Sequence, residues 1–572
     1  MPHLSIRAKL WNWTGFQKRE DQLTILLSLV IGIVVGLTVV AFILLTGRLA
    51  ARMYPPESAL WRRFLVPIAG TLFSGFLLFR YFPNARGSGI PQAKFALFLQ
   101  DGYISLRTVV GKFVCCSISL ASGIALGREG PSVQIGAGIA SVLGRRFGLG
   151  KANVKALVPV GCSAALAAAF NTPIAAVLFS LEEILGDLHA PVLGSVVLAS
   201  ATSWMVLHSI LGDEPLFHVP AYQLVNPLEF GIYAILGVIG GIASVAFVKL
   251  LLRLRVWFRR LPAWSLWLQP AAGGLLMAVF ALIRPEVLGV GYDYVDRVLT
   301  GDFPLKIVAL LAIMKIVATP ACYSSGNAGG IFGPSLFIGA MVGGAVGSVA
   351  HTLFPGVTAN AGAYALVGMG TAFAGIVRTP LTSVIMIFEM TRDYSIIVPL
   401  MISNLISFFI SQHLQHEPIY EALALQEGVY LPTGESREEL EGIHVSEVMQ
   451  TGVEPIRPET GIEEVKARLE KEKTSSWPVA IDGAIQAVIS IHEIETTEPA
   501  PSAARDLLKA NRDYPYVHAD HPVTYALERM GVKGVDVVPV VSRANIRQMY
   551  GIVTLKDILA GYGVTGAVKA KQ

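Results

Sequence analysis

The sequence predicts an all-α polytopic membrane domain of two structurally repeated halves with broken helices, followed by a small soluble α/β pair. Three observations carry this reading. Of 572 residues, 53% are hydrophobic and only 15% charged, with a mean hydropathy of +0.57, whereas globular chains run nearer a quarter charged. Short motifs recur in the same order at a nearly fixed offset. After Tyr420 the text turns polar and alternates short β-branched runs with charged helical stretches.

Composition also excludes several classes. The net charge is only +4, and no basic run is interleaved with aromatics, so nucleic acid is not an expected partner. Cys115, Cys116, Cys162 and Cys322 lie in apolar segments without Cys-x-x-Cys spacing; they read as small buried residues, neither a disulfide frame nor a metal site. Neither His416-Glu417 nor His492-Glu493 is followed by a zinc-spaced His, and no phosphate-binding Gly-x-x-x-x-Gly-Lys-Ser/Thr loop occurs. No enzyme, resident metal or ATP-driven pump is therefore expected.

The first apolar run, Leu23 to Leu45, is too long for a signal-peptide core and reads as a retained first helix. Arg7, Lys9, Lys18 and Arg19 precede it, which places the N-terminus in the cytoplasm. Arg253, Arg255, Arg259 and Arg260 mark a second cytoplasmic loop. Apolar segments continue to about Gln412, many of them cut by Gly and Pro. Stretches such as Pro173 to Glu183 and Pro334 to Ala340 are too short to cross about 30 Å of hydrocarbon as helices. Several helices are expected to stop near the midplane.

The stretch from Gly127 to Gly138 puts Arg128, Glu129 and Pro131 between apolar runs. A charge at mid-bilayer costs at least about 2.5–3.5 kcal/mol, and such breaks persist where they line a protein-walled cavity. A helix restarting at Pro131 directs its free N–H groups back toward Glu129. That end carries roughly half a positive charge and is a ready anion site. A carboxylate beside an anion site competes for it.

The same pattern recurs. Gly127-x-x-x-Pro131-Ser132-x-x-Ile135-Gly136-Ala137 matches Gly330-x-x-x-Pro334-Ser335-x-x-Ile338-Gly339-Ala340, an offset of 203. Asn171-Thr172-Pro173-Ile174 with Val177 and Glu182 matches Arg378-Thr379-Pro380-Leu381 with Val384 and Glu389, an offset of 207. Gly87-x-Gly89 has a weaker echo in Gly289-x-Gly291. Two halves with interrupted helices in corresponding places point to a midplane site at their interface. Self-similarity alone does not fix whether the halves are inverted, the arrangement expected here. Glu182 has a partner in Glu389 and reads as architecture. Glu183 faces Met390, and a charge present in one half only is the better functional candidate.

Leu425 to Glu441 is a polar linker, and soluble text begins at His444. It too repeats: Trp477-Pro478-Val479 answers Val538-Pro539-Val540, and Val488 to Glu493 answers Ile552 to Asp557. Two βαββα-like units are expected.

Three separated motifs, Gly87-Ser88-Gly89-Ile90-Pro91, Gly127-Arg128-Glu129-Gly130-Pro131 and Gly330-Ile331-Phe332-Gly333-Pro334, together with Pro418-Ile419-Tyr420, resemble the CLC family of chloride channels and chloride/proton antiporters. The tail resembles a tandem CBS pair. The implied division is a transport domain over 1–425, a linker over 426–443, and CBS units over 444–498 and 505–566. The resemblance implies that the hydroxyls of Ser88 and Tyr420 and the backbone N–H groups of Ile331 and Phe332 bind chloride. It implies that Glu129 is the external gate and proton acceptor, and Glu183 the internal proton-transfer residue of the antiporter branch. It further implies a homodimer in the lipid bilayer of a cell (plasma or inner) membrane, with the N-terminus and the tail cytoplasmic. Transport needs no cofactor. An adenine nucleotide between the CBS units would use Thr554 and Asp557, with Ser490 and Glu493 the poorer counterparts. The sequence departs from the family pattern at Gln92, where Glu often stands, and at Lys94; both are expected near the site entrance.

Plainer readings compete with these roles. Ser88 would merely cap the next helix, Tyr420 would be an interfacial belt tyrosine, and Glu183 would pair with a nearby Arg or Lys. At the level of the whole chain the rivals are a passive voltage- or pH-gated chloride channel and, more remotely, a membrane-anchored nucleotide sensor.

Overall fold

The computed structural model describes residues 20–429 and 443–561, apart from positions 56–57, 214, 218, 220–221, 223, 302, 482, 498–500 and 509–513. Arg7, Lys9, Lys18 and Arg19, most of the linker and the last residues of the second tail unit lie outside the described residues. The chain divides into two compact units, Met1–Leu431 and Pro432–Gln572.

Among its described residues the first unit is built from helices. Its first half runs α1 (Glu20–Met53), α2 (Leu60–Arg80), α3 (Ile90–Leu99), α4 (Leu106–Ala121), α5 (Glu129–Arg146), α6 (Lys151–Phe170), α7 (Pro173–Phe179) and α8 (Leu193–Leu211). The second runs α9 (Glu229–Arg259), α10 (Gln269–Ile283), α11 (Tyr292–Leu299), α12 (Leu305–Ser324), α13 (Phe332–Leu353), α14 (Ala361–Val377), α15 (Pro380–Thr391) and α16 (Ile397–Leu414). A last short helix, α17 (Ile419–Gln426), closes the unit. Among the described residues, eight helices are long and apolar enough to cross a membrane. Others are too short: at 1.5 Å per residue α3 is about 15 Å long. The four cysteines are buried and unbridged.

Small residues make the halves dense. α5 crosses α6 so closely that a Cβ on Gly136 would fall 2.2 Å from Gly161 O, and α13 crosses α14 so that one on Gly339 would fall 2.2 Å from Gly368 O. Any side chain there would push the helices apart. The two crossings are counterparts in the repeat.

Three expectations are corrected. α5 starts at Glu129, not Pro131, because a first-turn proline needs no N–H acceptor and does not delay the helix. Pro334 to Ala340 is no short fragment but the beginning of the 22-residue α13. Arg253, Arg255 and Arg259 lie in the last turns of α9 rather than in a loop. There Arg255 donates to Leu423 O at 2.9 Å and pairs with Glu427, and Arg259 donates to Gln426 O, so α9 holds the C-terminal end of α17.

The second unit carries the expected repeat as two hairpins. α19 (Ile462–Glu472) precedes β2 (Ser476–Ile481), β3 (Ala484–Ser490) and α20 (Ile491–Thr496); α21 (Val523–Lys533) precedes β4 (Val537–Val541), β5 (Met549–Thr554) and α22 (Leu555–Gly561). In each, the central proline pairs across the hairpin, Pro478 with Val488 and Pro539 with Ile552. The leading segment, α18 (Val445–Val448) and β1 (Gln450–Thr451), joins the second hairpin: β1 pairs antiparallel with β5, and Val445 packs with Val517, Val523 and Val538. Ala504 and Leu507 pack with Trp477 and Val479. Each core thus borrows a segment from the other repeat.

Candidate functional site

The broken ends of the two halves meet. Gly127 and Gly330 exchange both backbone hydrogen bonds at 2.7 Å, and Gly87 bridges Ala328. The starts of α3, α5 and α13 therefore converge, bringing together three motifs that are far apart in sequence. Each supplies N–H groups without intrahelical acceptors.

Glu129 is the first residue of α5 and is completely buried. Its Oε1 accepts a 2.5 Å hydrogen bond from Tyr292 Oη, while its Oε2 has no hydrogen-bond partner. Arg128 stands 3.9 Å from Oε1 and over the Tyr292 ring. The carboxylate lies across the start of α13: a Cβ on Gly127 would fall 2.3 Å from Oε2, and one on Gly333 3.0 Å from it. Only glycines leave room for it there. A buried carboxylate at the positive end of a helix occupies an anion position.

Ser88 and Tyr420 are both wholly buried, and by donor–acceptor geometry neither hydroxyl has a hydrogen-bond partner. Buried hydroxyls are normally paired, so each of these two is open to a partner from outside the chain. Ser88 does not cap α3. The cap residue is Gly89, whose N–H donates to Gln92 Oε1 at 2.8 Å. Nor is Tyr420 at an interface, being fully enclosed at the start of α17. Ile331 and Phe332 begin α13, and the Phe332 ring is wedged among Phe170, Phe179 and Phe373. Gly87 and Tyr323 also line a cavity of about 890 Å³ whose walls include Arg86, Arg255 and Arg259.

Glu183 sits in a π-helical turn over Ser180–Leu185 that continues α7. It is 7% exposed and accepts a 2.8 Å hydrogen bond from Lys94 Nζ, so it does pair with a lysine. Lys94 lies on α3 and is buried rather than at an entrance.

Sequence reasoning missed a matched pair of lysines. Lys112 on α4 donates to Ala85 O at 3.1 Å and Gly87 O at 2.6 Å. Lys315 on α12 donates to Val287 O at 3.0 Å and Gly289 O at 2.6 Å. Both are fully buried, and their separation of 203 was the available signal. Glu182 and Glu389 are also matched. Glu182 accepts from Leu381 N at 3.3 Å and Thr382 N at 2.8 Å at the start of α15; Glu389 accepts from Ile174 N at 3.0 Å and Ala175 N at 2.7 Å at the start of α7. Each half caps the other's broken helix, as a local two-fold requires.

In the tail, Thr554 and Asp557 form a reciprocal cap on α22: Asp557 Oδ2 accepts from Thr554 N at 3.0 Å and Oγ1 at 2.7 Å, and Asp557 N donates back at 3.1 Å. Gln450 on β1 donates to both Asp557 oxygens, at 2.8 and 3.0 Å. Ser490 and Glu493 form the same box on α20.

The voltage gated chloride channel family matches residues 70–412 and the CBS domain family residues 504–562. The H(+)/Cl(-) exchange transporter ClcA of Salmonella paratyphi B is 33% identical over 422 residues, covering 71% of this chain and 89% of its own. A slow cyanobacterial Cl-/H+ antiporter of solved structure superposes with a TM-score of 0.65 at 28% identity, covering 71% of this chain and 97% of that one. A eukaryotic CLC transporter gives a TM-score of 0.65 at 21% identity over 93% of this chain and 97% of that one, a likeness of fold. With more than half of its length matched, and with the three broken-helix motifs meeting at one buried point, the chain belongs to the voltage gated chloride channel (CLC) family and carries a CBS domain in its tail.

Proposed function

We propose that this chain exchanges chloride for protons across a cell membrane. The carrying observation is the buried Glu129 carboxylate lying across the start of α13, next to the junction of the halves. Charged, it fills an anion position; protonated, it leaves that position to chloride, so proton and anion alternate at one place. Chloride then rests on the hydroxyls of Ser88 and Tyr420 and the N–H groups of Ile331 and Phe332. Glu183, buried and present in one half only, relays protons between the cytoplasm and Glu129. Exchange in the ClcA relative and in the cyanobacterial antiporter supports the same reading.

The assembly we propose is a homodimer with one pathway per subunit, with the N-terminus and tail cytoplasmic. Transport is assigned to residues 1–425, and the tail pair to 444–498 and 505–566. At most one adenine nucleotide binds per subunit, its ribose on Asp557 and its phosphates near Thr554; binding has to displace Gln450 from the Asp557 carboxylate. Calorimetry on the full chain with ATP, ADP and AMP reads this, and equal heat from Asp557→Ala removes the site.

Purified protein in sealed liposomes under a chloride gradient tests the main reading. Chloride-driven movement of protons against their own gradient is expected. Chloride flux with no change of internal pH leaves a passive channel.

A further inference from the structure

The Glu129 carboxylate takes its hydrogen bond from the other half. Tyr292, the first residue of α11, donates from Oη to Glu129 Oε1 at 2.5 Å, inside the range of charge-assisted O–H···O⁻ bonds. Glu129 Oε2 accepts no hydrogen bond, and Arg128 Nε, 3.9 Å from Oε1, donates none. We propose that Tyr292 is a positioning residue for the gate: its hydroxyl holds the charged Glu129 carboxylate across the start of α13 and so sets how well chloride competes for that place. This rests on the reading of Glu129 as the gate.

Two features of its placement support this. The first comes from the repeat. At the offset of 202 that relates Gly87 to Gly289, Ser88 corresponds to Val290 and Ile90 to Tyr292. A Cβ on Gly130, at the start of α5, would fall 3.2 Å from Ser88 Oγ. One on its counterpart Gly333, at the start of α13, would fall 2.8 Å from Val290 Cγ1 and 2.9 Å from Tyr292 Oη. The second half thus has a methyl group where the first has a hydroxyl, and brings its hydroxyl from two residues further on. The starts of α5 and α13 each have a neutral hydroxyl beside them, and the one at α13 is bonded to the gate. The second feature is rigidity. Gly291, which caps α11, has a φ of +86°, open to glycine at no steric cost. Just before it, Lys315 Nζ holds Val287 O and Gly289 O, and Gly289 N donates to Gly123 O at 2.9 Å. The Tyr292 ring meets Phe217 edge-on at 5.3 Å, and the Arg128 guanidinium stands 5.7 Å from its centre. A donor fixed before its bond forms gives up little conformational freedom in making it.

The hydroxyl discriminates between the two anions that share the place. A carboxylate concentrates its charge on two small oxygens, whereas chloride spreads the same charge over a larger ion. The phenol O–H therefore favours the gate over the anion that replaces it. When Glu129 takes up a proton and leaves, the hydroxyl turns to water or to the incoming chloride, and in either case its bond is weaker. Tyr292 keeps its own proton throughout.

Calorimetry of chloride binding to the purified full chain is the test. Tyr292→Phe keeps the ring and its packing and removes only the donor. Chloride should then bind about tenfold more tightly, near the lower end of what a hydrogen bond to a charged group contributes. Glu129→Gln should tighten binding at least as much. Tyr292→Phe added to Glu129→Gln should change the affinity by less than about twofold, because the charge-assisted bond is already gone. A wild-type or weaker affinity in Tyr292→Phe overturns the inference, and so does an equal gain in both backgrounds. If Tyr292→Phe does not yield folded protein, a ring-fluorinated tyrosine at position 292 has nearly the same shape and is the stronger donor. It should weaken chloride binding, a change of opposite sign that a packing role does not produce; an unchanged or tighter affinity overturns the inference. Glu129→Gln alone separates the two readings. If it tightens chloride binding while the Tyr292 variants do not respond as stated, only this inference falls; if it too keeps the wild-type affinity, the gate at Glu129 falls with it.

Discussion

Lys112 in the first half and Lys315 in the second each hold two carbonyls of the Gly-x-Gly loop before them, at nearly the same distances. Glu182 and Glu389 each cap the other half's broken helix. At the same offsets, however, Glu129 stands opposite Phe332, and Glu183 opposite Met390. Where the halves agree, buried charge holds backbone in place. Where they differ, one half offers a carboxylate and the other an apolar side chain. A two-fold scaffold with one-sided chemistry suits the exchange proposed above, whose pathway needs two distinct ends.

Removing the one-sided carboxylate at the junction should have the largest effect. Glu129→Gln cannot release a proton, so proton flux should fall at least about 100-fold, the usual scale for losing an acid–base group. Chloride flux should continue, with its dependence on pH flattened. A mutant with the wild-type pH profile would count against the gate.

Matched positions should instead fail through stability. Lys112→Met and Lys315→Met each leave two buried carbonyls unpaired, and each should destabilise the domain by about 2–6 kcal/mol. Thermal unfolding of the purified protein should show losses of similar size in the two halves. A large loss in one and none in the other would break the symmetry argument. Ser88→Pro should shift preference from chloride toward nitrate by about tenfold, equivalent to about 1.4 kcal/mol. Competition between the two anions for flux checks it, and an unchanged order would remove Ser88 from the site. The smallest effect is expected in the tail, where Asp557→Ala removes a helix cap and should cost about 1 kcal/mol, read as a small drop in the tail's unfolding temperature.

Much of this organisation was legible because it rests on motifs that interrupt apolar text. Gly, Pro and charge cannot sit in a lipid-facing span without a reason, so Ser88, Glu129 and the start of α13 stood out. The partners of those residues did not. Tyr292 reaches Glu129 from 163 positions away, and no local pattern announces an aromatic hydroxyl facing a carboxylate. Lys112 and Lys315 are single charges in apolar helices, and only their common offset of 203 ties them to the repeat. Helix starts were also misplaced by proline. Pro131 suggested a break at itself, yet α5 begins two residues earlier. The plain pairing of Glu183 with a lysine was correct as geometry. It does not compete with a relay role, because a buried carboxyl that exchanges protons needs a partner for its charged form.

The most direct test uses two neighbours. Glu182 and Glu183 are adjacent in sequence and share one π-helical turn, yet only Glu182 has a counterpart in the other half. Chloride and proton fluxes should be measured together for Glu182→Gln and Glu183→Gln in the same liposomes. The account predicts that Glu183→Gln stops proton movement while chloride still passes, and that Glu182→Gln lowers stability but keeps the proton-to-chloride ratio. Loss of coupling in Glu182→Gln with normal coupling in Glu183→Gln would contradict it.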